Sequence, residues 1–213
     1  MSSLRITEIF HSLQGEARDI GRPTVFVRLS GCPLRCTWCD TTYSFKAGEV
    51  LSLDTILQRV AVFDTHHVCV TGGEPLAQKG CLALLERLCD AGHSVSLETS
   101  GALDIGGIDA HVTRVMDLKT PSSGEQTRNR RENIALLRSQ DQVKFVIADE
   151  HDYRWSCEQL EAHALANRCD VLFSPVTDRL APRELAEWIL HDRLPVRFQI
   201  QLHKYLWGEV SGR

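Results

Sequence analysis

Gly31–Thr42 reads GCPLRCTWCDTT and sets Cys32, Cys36 and Cys39 in the spacing C-x3-C-x2-C. Thiolates are soft ligands, and closely spaced ones select iron–sulfur clusters or zinc over magnesium or calcium. A structural zinc ion takes four protein ligands, and so does a fully tied four-iron cube. Three thiolates, with no further Cys or His in the loop, leave one iron open to a small molecule, and an open iron is a site for chemistry. The duller readings of the spacing are a zinc knob borrowing a distant ligand and a disulfide with a spare thiol.

Outward from the loop, strand-like runs alternate with helical spacing. Ile6–Phe10 and Thr24–Leu29 read as strands separated by the loop HSLQGEARDIGRP, and the cysteines follow the second strand directly. Further strands are predicted over His67–Val70, Ser94–Leu97, Val112–Leu118, Val143–Ile147, Val171–Phe173 and Arg197–Leu202. Helices are predicted over Leu53–Phe63, Gly80–Ala91 (with Leu82, Leu85, Leu88 and Cys89 on one face), Glu132–Arg138, Tyr153–Asn167 and Pro182–His191. The charged run Glu125–Asn133 reads as a solvated loop. This order predicts an α/β fold with a mainly parallel sheet flanked by helices. At 213 residues the chain is short of the about 250 typical of a closed eight-fold barrel. The expectation is one domain over residues 1–213, an incomplete, TIM-like partial barrel.

Polar groups recur at successive strand ends: Thr71-Gly72-Gly73-Glu74, Glu98-Thr99, Asp117 with Lys119, Lys144 and Ser174. In an α/β sheet such positions ring one mouth. Hydrophobic content of 43% and charged content of 24% are ordinary for a soluble domain, and the net charge of −4 gives no electrostatic case for nucleic acid. No run approaches the ~18 apolar residues of a membrane span, so a cytoplasmic protein is expected, with no membrane partner. There, Cys69, Cys81, Cys89, Cys157 and Cys169 read as core or incidental residues.

Taken together, these motifs resemble the radical S-adenosylmethionine (SAM) superfamily and, within it, the 7-carboxy-7-deazaguanine synthases of queuosine biosynthesis. The resemblance covers nearly the whole chain. Its marks are LQGEA (13–17), RPTVFVRLSGC (22–32), the cysteine loop with CDT, TGGEP (71–75), ETSG (98–101), DLKTPSSG (117–124), VKFVI (143–147) and QLHKYL (201–206). The cysteine loop and TGGEP indicate only the superfamily; LQGE, CDT and Q-x-H-K indicate the particular family.

The resemblance implies a trimmed radical SAM core with a [4Fe–4S] cluster on Cys32, Cys36 and Cys39, SAM on the open iron, and Mg2+ at Thr41. It implies SAM contacts from Thr37, Trp38, Cys39, Asp40, Gly72, Gly73, Glu74 and Ser100, and from Asp117, Leu118, Lys119, Ser174, Pro175, Val176 and Thr177. The implied substrate is 6-carboxy-5,6,7,8-tetrahydropterin, contacted by Leu13, Gln14, Gly15, Glu16, Arg28, Thr71, His203 and Lys204. Arg28 suits the carboxylate because a guanidinium binds it as a fork. Structural alternatives stand beside several of these roles: Glu74 as a helix cap, Trp38 as a loop anchor and Thr41 as a turn cap.

The implied reaction takes hydrogen from the pterin, contracts its ring with the help of magnesium and releases ammonia. A flavodoxin-like electron donor and a homodimer are also implied. A C-terminal residue that relatives offer to substrate would fall near Glu209, and that role is not carried over. The nearest rival is a glycyl-radical-enzyme activase, which shares the cysteine spacing and the GGE strand end but needs an open mouth for a protein loop.

Overall fold

The computed structural model describes residues 3–46, 48–208, 210 and 212; Glu209 lies outside the described residues. The chain runs β1 (Ser3–Leu13), β2 (Pro23–Leu29), β3 (Glu49–Ser52), α1 (Leu53–Ala61), β4 (His67–Gly72), α2 (Cys81–Asp90) and β5 (Ser94–Thr99). It continues through β6 (Thr113–Asp117), β7 (Gln142–Ile147), α3 (Glu150–Ala162), β8 (Asp170–Pro175), α4 (Pro182–Asp192), β9 (Arg197–Phe198) and α5 (Leu202–Trp207).

One nine-stranded sheet has the order β3-β1-β2-β4-β5-β6-β7-β8-β9. β1 is antiparallel to both its neighbours, and from β2 to β9 every pairing is parallel. The end strands β3 and β9 stay unpaired with each other, so the sheet is an unclosed, partial TIM-like barrel.

Strand alternation decides where the chemistry sits, because successive side chains face opposite sides of a sheet. One set, including Val25, Val27, Leu29, Val68, Val70, Leu97, Met116, Val143, Phe145 and Phe173, is buried in one apolar cluster with the helices. The alternate set, Phe26, Arg28, Thr71, Glu98, Val115, Asp117, Lys144 and Val146, lines a cavity on the inner side.

The helices follow local signals. Ser52 caps α1 by accepting from Thr55 N at 3.2 Å, while Ile56 and Val60 face the core. Asp149 caps α3 by accepting from Asp152 N at 2.9 Å, so that helix begins before the predicted Tyr153. It ends at Ala162; left-handed Ala164 (φ 46°) breaks it, and Leu165–Asn167 is a separate 3₁₀ turn.

Other boundaries also differ from the sequence reading. Strand β1 runs on through His11–Leu13, pairing them with Val25, Thr24 and Pro23. The buried face of α2 is Cys81, Leu84, Leu85 and Leu88, whereas Leu82 is exposed, because a strict three-residue step drifts off a 3.6-residue helix. The predicted helix Glu132–Arg138 is instead a 3₁₀ stretch over Arg131–Leu136. Buried Asn133 holds it by donating to Gly101 O (3.0 Å) and Leu103 O (2.7 Å).

The charged run 125–133 is tied down rather than merely solvated. Asn129 exchanges two bonds with the Lys119 backbone (2.9 and 2.8 Å), and Glu125 accepts from Arg35 N. Only Arg197–Phe198 of the last predicted strand pairs. Beyond it Gln199 Oε1 accepts from Ala17 N (2.9 Å), Leu202 N donates to Gly15 O (2.9 Å), and the chain turns into α5. Among the described residues no helix is long and apolar enough to cross a membrane.

Candidate active site

The cysteine loop leaves β2 and is held chiefly by bonds that use no sulfur, although Cys32 Sγ accepts from Leu34 N at 3.5 Å. Gly31 N donates to Ser44 O (2.9 Å), Thr37 N to Ser123 O (3.1 Å), and Thr37 Oγ1 to Ser122 O (3.0 Å). Arg35 donates to Cys32 O and Leu34 O, and its guanidinium lies 4.3 Å from the Phe45 ring centre. Leu34 plugs the loop into the fold at 1% exposure.

Two glycines let the end of β4 press against this loop. A Cβ on Gly73 would lie 2.2 Å from Gly31 O and 2.8 Å from Cys32 Cβ, and one on Gly72 would lie 2.3 Å from Leu29 O. Gly73 N and Glu74 N instead donate to Leu29 O (3.1 Å) and Gly31 O (2.8 Å). Gly73→Ala is therefore expected to push the loop away from β4. Iron retained per chain after anaerobic reconstitution and desalting should fall at least several-fold, while circular dichroism stays native. Full iron retention would contradict this.

Cys32, Cys36 and Cys39 are free, half-buried, and face the same cavity of about 480 Å³. Burial pushes the Cys36 thiol up to about 11, against the pull of the Lys119 ammonium, and burial also raises Cys32. The only Cys/His/Asp/Glu trio with ligand atoms within 4.8 Å of one another, among the described residues, is Asp149, His151 and Asp152. The three sulfurs are thus spread wider than three ligands of one zinc ion at about 2.3 Å each. A multi-iron cluster, binding each thiolate at a different iron, fits that spread.

The cavity gathers most of the predicted site. Leu13, Gln14, Gly15, Glu16, Arg28, Trp38, Asp40, Thr41, Thr71, Gly72, Gly73, Ser100, Asp117, Lys119, Val176, Thr177, His203 and Lys204 line it together with the three cysteines. Thr37, Glu74, Leu118, Ser174 and Pro175 do not. Leu118 is 3% exposed and belongs to the core, since alternation turns Asp117 and Lys119 inward. Ser174 and Pro175 are still paired within the sheet, and the chain reaches the cavity only beyond them. Thr37 spends its hydroxyl on Ser122 O.

Glu74 is fully buried, and its carboxylate accepts from Leu76 N, Thr99 Oγ1, Ser100 N and Ser100 Oγ. In this structure it caps the 3₁₀ turn Pro75–Ala77 and clamps the end of β5. The Thr41 side chain, by contrast, caps nothing. Its carbonyl accepts from Ser44 N and Ser44 Oγ, and its hydroxyl lies 3.7 Å from Cys39 Sγ on the cavity wall. The Trp38 ring carries Arg179 on one face, with the guanidinium carbon 5.5 Å from the centroid.

The cavity is strongly charged. Glu16 pairs with Lys144 and accepts from Gln201 Nε2 at 2.7 Å. Burial alone would raise the Glu16 carboxyl, but the Lys144 charge and hydrogen bond outweigh it and hold it at about 2. Lys144 is held above its ordinary value: burial would lower it, but Glu16, Asp117 and Glu98 surround it. Arg28 donates to Glu8 at 2.7 Å; burial opposes its charge, and the Glu8 bond more than compensates. Glu98 accepts from Thr71 Oγ1 (2.9 Å) and Gln14 Nε2 (3.4 Å), while Gln14 Oε1 takes Glu16 N (3.2 Å).

The C-terminal segment crosses the cavity. Gln201 reaches Glu16 and Asp40, Thr177 donates to Gln201, and Lys204 lies 3.5 Å from Asp40. The His203 ring packs on Gly15, where a Cβ would lie 2.2 Å from its Nδ1.

Sequence reasoning missed Phe10, Phe26, Phe45, Val115, Val146, Asp178, Arg179 and Gln201 as cavity residues. The inward parity of Arg28 and Thr71 would have exposed Phe26, and that of Asp117 and Lys144 would have exposed Val115 and Val146. Nothing in the sequence announces Arg179.

Comparison with known proteins agrees with this geometry. The radical SAM superfamily model matches residues 26–121. The 7-carboxy-7-deazaguanine synthase of Chlorobaculum tepidum is 46% identical, over 96% of this chain and 94% of that protein. The enzyme of the same name from Koribacter versatilis is 40% identical, over 98% of this chain and all of that one. Among solved structures, QueE from Escherichia coli superimposes with a TM-score of 0.73 over 94% of this chain and 95% of that one, at 23% identity, a likeness of fold. With the open parallel sheet and the cysteine-lined cavity at its strand ends, these relatives establish that the chain belongs to the 7-carboxy-7-deazaguanine synthase family of radical SAM enzymes.

Proposed function

We propose that the chain converts 6-carboxy-5,6,7,8-tetrahydropterin to 7-carboxy-7-deazaguanine with loss of ammonia, in a SAM- and magnesium-dependent radical ring contraction feeding 7-deazapurine (queuosine) synthesis. The observation that carries this reading is one cavity with two kinds of lining. Three free thiols, too spread for one zinc ion, line it together with the Arg28 guanidinium and a buried Glu–Lys pair.

Cys32, Cys36 and Cys39 would hold a [4Fe–4S] cluster and leave one iron for the amino and carboxylate groups of SAM. When bound, cluster and cofactor supply a carbon radical able to take hydrogen from the substrate. The protein's own part is orientation. The Gly72–Gly73 backbone suits the SAM ammonium, and Trp38 offers a flat face to its base. Asp117, whose Oδ1 is buried with no hydrogen-bond partner among the described residues, adds acceptor capacity for the cofactor.

Arg28 keeps guanidinium donors beyond its bond to Glu8 for the substrate carboxylate. Glu16 accepts from the ring's N–H edge, and His203 packs over Gly15 to close the wall. The Thr41 hydroxyl, unused as a cap, suits a magnesium ion that takes one protein oxygen and keeps its waters. The strapped mouth favours a small molecule over the protein loop that a glycyl-radical activase must admit. A flavodoxin-like electron donor and a homodimer belong to the same proposal, supported by the family resemblance.

The test is anaerobic reconstitution with iron and sulfide, followed by assay with the carboxytetrahydropterin, SAM, Mg2+ and a chemical reductant. The deazaguanine chromophore should appear, and it should require SAM. A cluster-loaded protein that cleaves SAM but leaves the pterin unchanged would defeat the assignment.

A further inference from the structure

Lys144 lies on β7, facing the cavity, and belongs to neither the cysteine loop nor the substrate motifs. Its side chain is 13% exposed, and that of Glu16 12%. The ammonium bonds Glu16 Oε2 and lies 3.8 Å from Asp117 Oδ2, while Asp117 in turn meets Lys119 at 3.0 Å. Gln201 donates to the other Glu16 oxygen.

Each carboxylate oxygen has two lone-pair sites, so both Glu16 oxygens keep one for a ligand. An ionised carboxylate can only accept; a protonated one also donates. The charge state of Glu16 therefore decides which ring edge the cavity reads. A carboxylate this buried with no cation beside it would be driven toward its neutral form.

We propose that Lys144 is a positioning and specificity residue that fixes Glu16 as an acceptor-only group, so the cavity selects a ring edge presenting two adjacent N–H donors. The inference rests on the function proposed above. The charged and titratable groups around the pair are His203 on α5, Glu98 on β5, and Asp117 and Lys119 at the end of β6, with Asp40 tied in through Gln201. The carboxyl of Glu16, held at about 2, stays ionised across pH 5–8 in the intact protein. Its depressed value means that the ionised state is lost only as pH falls toward that value.

The test is the dissociation constant of the carboxytetrahydropterin for cluster-loaded protein without SAM, across pH 5.5–8.5, expressed as the ratio of variant to wild type. That ratio cancels the ligand's own titration. Lys144→Met should raise the Glu16 carboxyl into or above this range. Below the new value, binding should weaken by about tenfold per pH unit relative to wild type, the slope of one proton. Lys144→Arg should keep a flat ratio, and adding Glu16→Gln to Lys144→Met should abolish the acid limb.

A 2-oxo analogue, with an acceptor in place of the 2-amino group, gives a second readout: Lys144→Met should narrow discrimination against it most at low pH. A flat, uniformly weakened ratio in Lys144→Met, or an unchanged one, would overturn the proposal. Should that variant not fold, carbon-13 shifts of the Glu16 carboxyl in wild-type protein carry the test, and a midpoint between pH 5 and 8 would overturn it. Wild-type protein that binds and turns over no pterin would instead defeat the underlying function, a distinct outcome.

Discussion

Cys36→Ala is expected to give a folded protein that is colourless after reconstitution and forms no 7-carboxy-7-deazaguanine. The thiol is half-buried on the cavity wall and packs into no core cluster, so its loss leaves the fold intact. The loop around it is held by backbone bonds from Gly31, Thr37 and Glu74 that use no sulfur. Two thiolates cannot anchor a cube that already has one iron without a protein ligand. Iron analysis, the visible spectrum, circular dichroism and product chromatography check this together. Cys69→Ala is the informative contrast: Cys69 is fully buried in β4, so that variant should lose some stability but keep its iron and its product. If Cys36→Ala retained four irons and activity, the cluster would have to be placed elsewhere.

Asp141→Ala should be the most destabilising single change away from the cavity. Asp141 is fully buried and pairs with Arg114, whose side chain is 2% exposed, across the starts of β6 and β7. It also accepts from Arg114 N (3.0 Å) and Arg138 N (2.8 Å), and the same guanidinium donates to Leu136 O (2.8 Å). Removing the carboxylate strands a buried cation and two backbone donors, which costs about 3–5 kcal/mol. For a chain of this size that is a fall in Tm of about 6–20 °C. Asp141→Asn, which keeps one acceptor oxygen without the charge, should fall between. Scanning calorimetry of both variants checks the order, and an alanine variant within about 1 kcal/mol of wild type would contradict it.

Where local signals and tertiary structure agree, the sequence was readable. β-branched runs with polar strand ends marked β2 and β4–β8, and the cysteine spacing marked three thiols that line the cavity. Ser52 and Asp149, which set helix starts, are ordinary caps, and the Asp149 cap starts α3 at Glu150, ahead of the predicted Tyr153. The misread elements are those whose shape comes from distant partners. Residues 199–202 read as the end of a strand, but Gln199, Gln201 and Leu202 bond to Ala17, Glu16 and Gly15, residues nearly the whole chain away. The stretch around Asn133 is drawn into 3₁₀ turns by its side-chain bonds to the 101–105 segment.

The candidate site was legible for the same reason that the fold was. Parity along each strand places Arg28, Thr71, Asp117 and Lys144 on one face. The sequence concealed how the charges are spent. Glu74, expected at the cofactor, uses its oxygens on Leu76, Thr99 and Ser100, and Gln14 bridges Glu98 and Glu16. Such pairings are set by three-dimensional neighbours and leave no mark in residue spacing.

The account turns on an iron that the protein leaves free for SAM. Electron–nuclear double resonance on the reduced, cluster-loaded protein, with SAM labelled at its amino nitrogen and carboxylate oxygens, tests it most directly. Strong coupling of both labels to the cluster is the predicted result. Unlabelled behaviour in the presence of saturating SAM, with a protein atom as the fourth ligand, would contradict it.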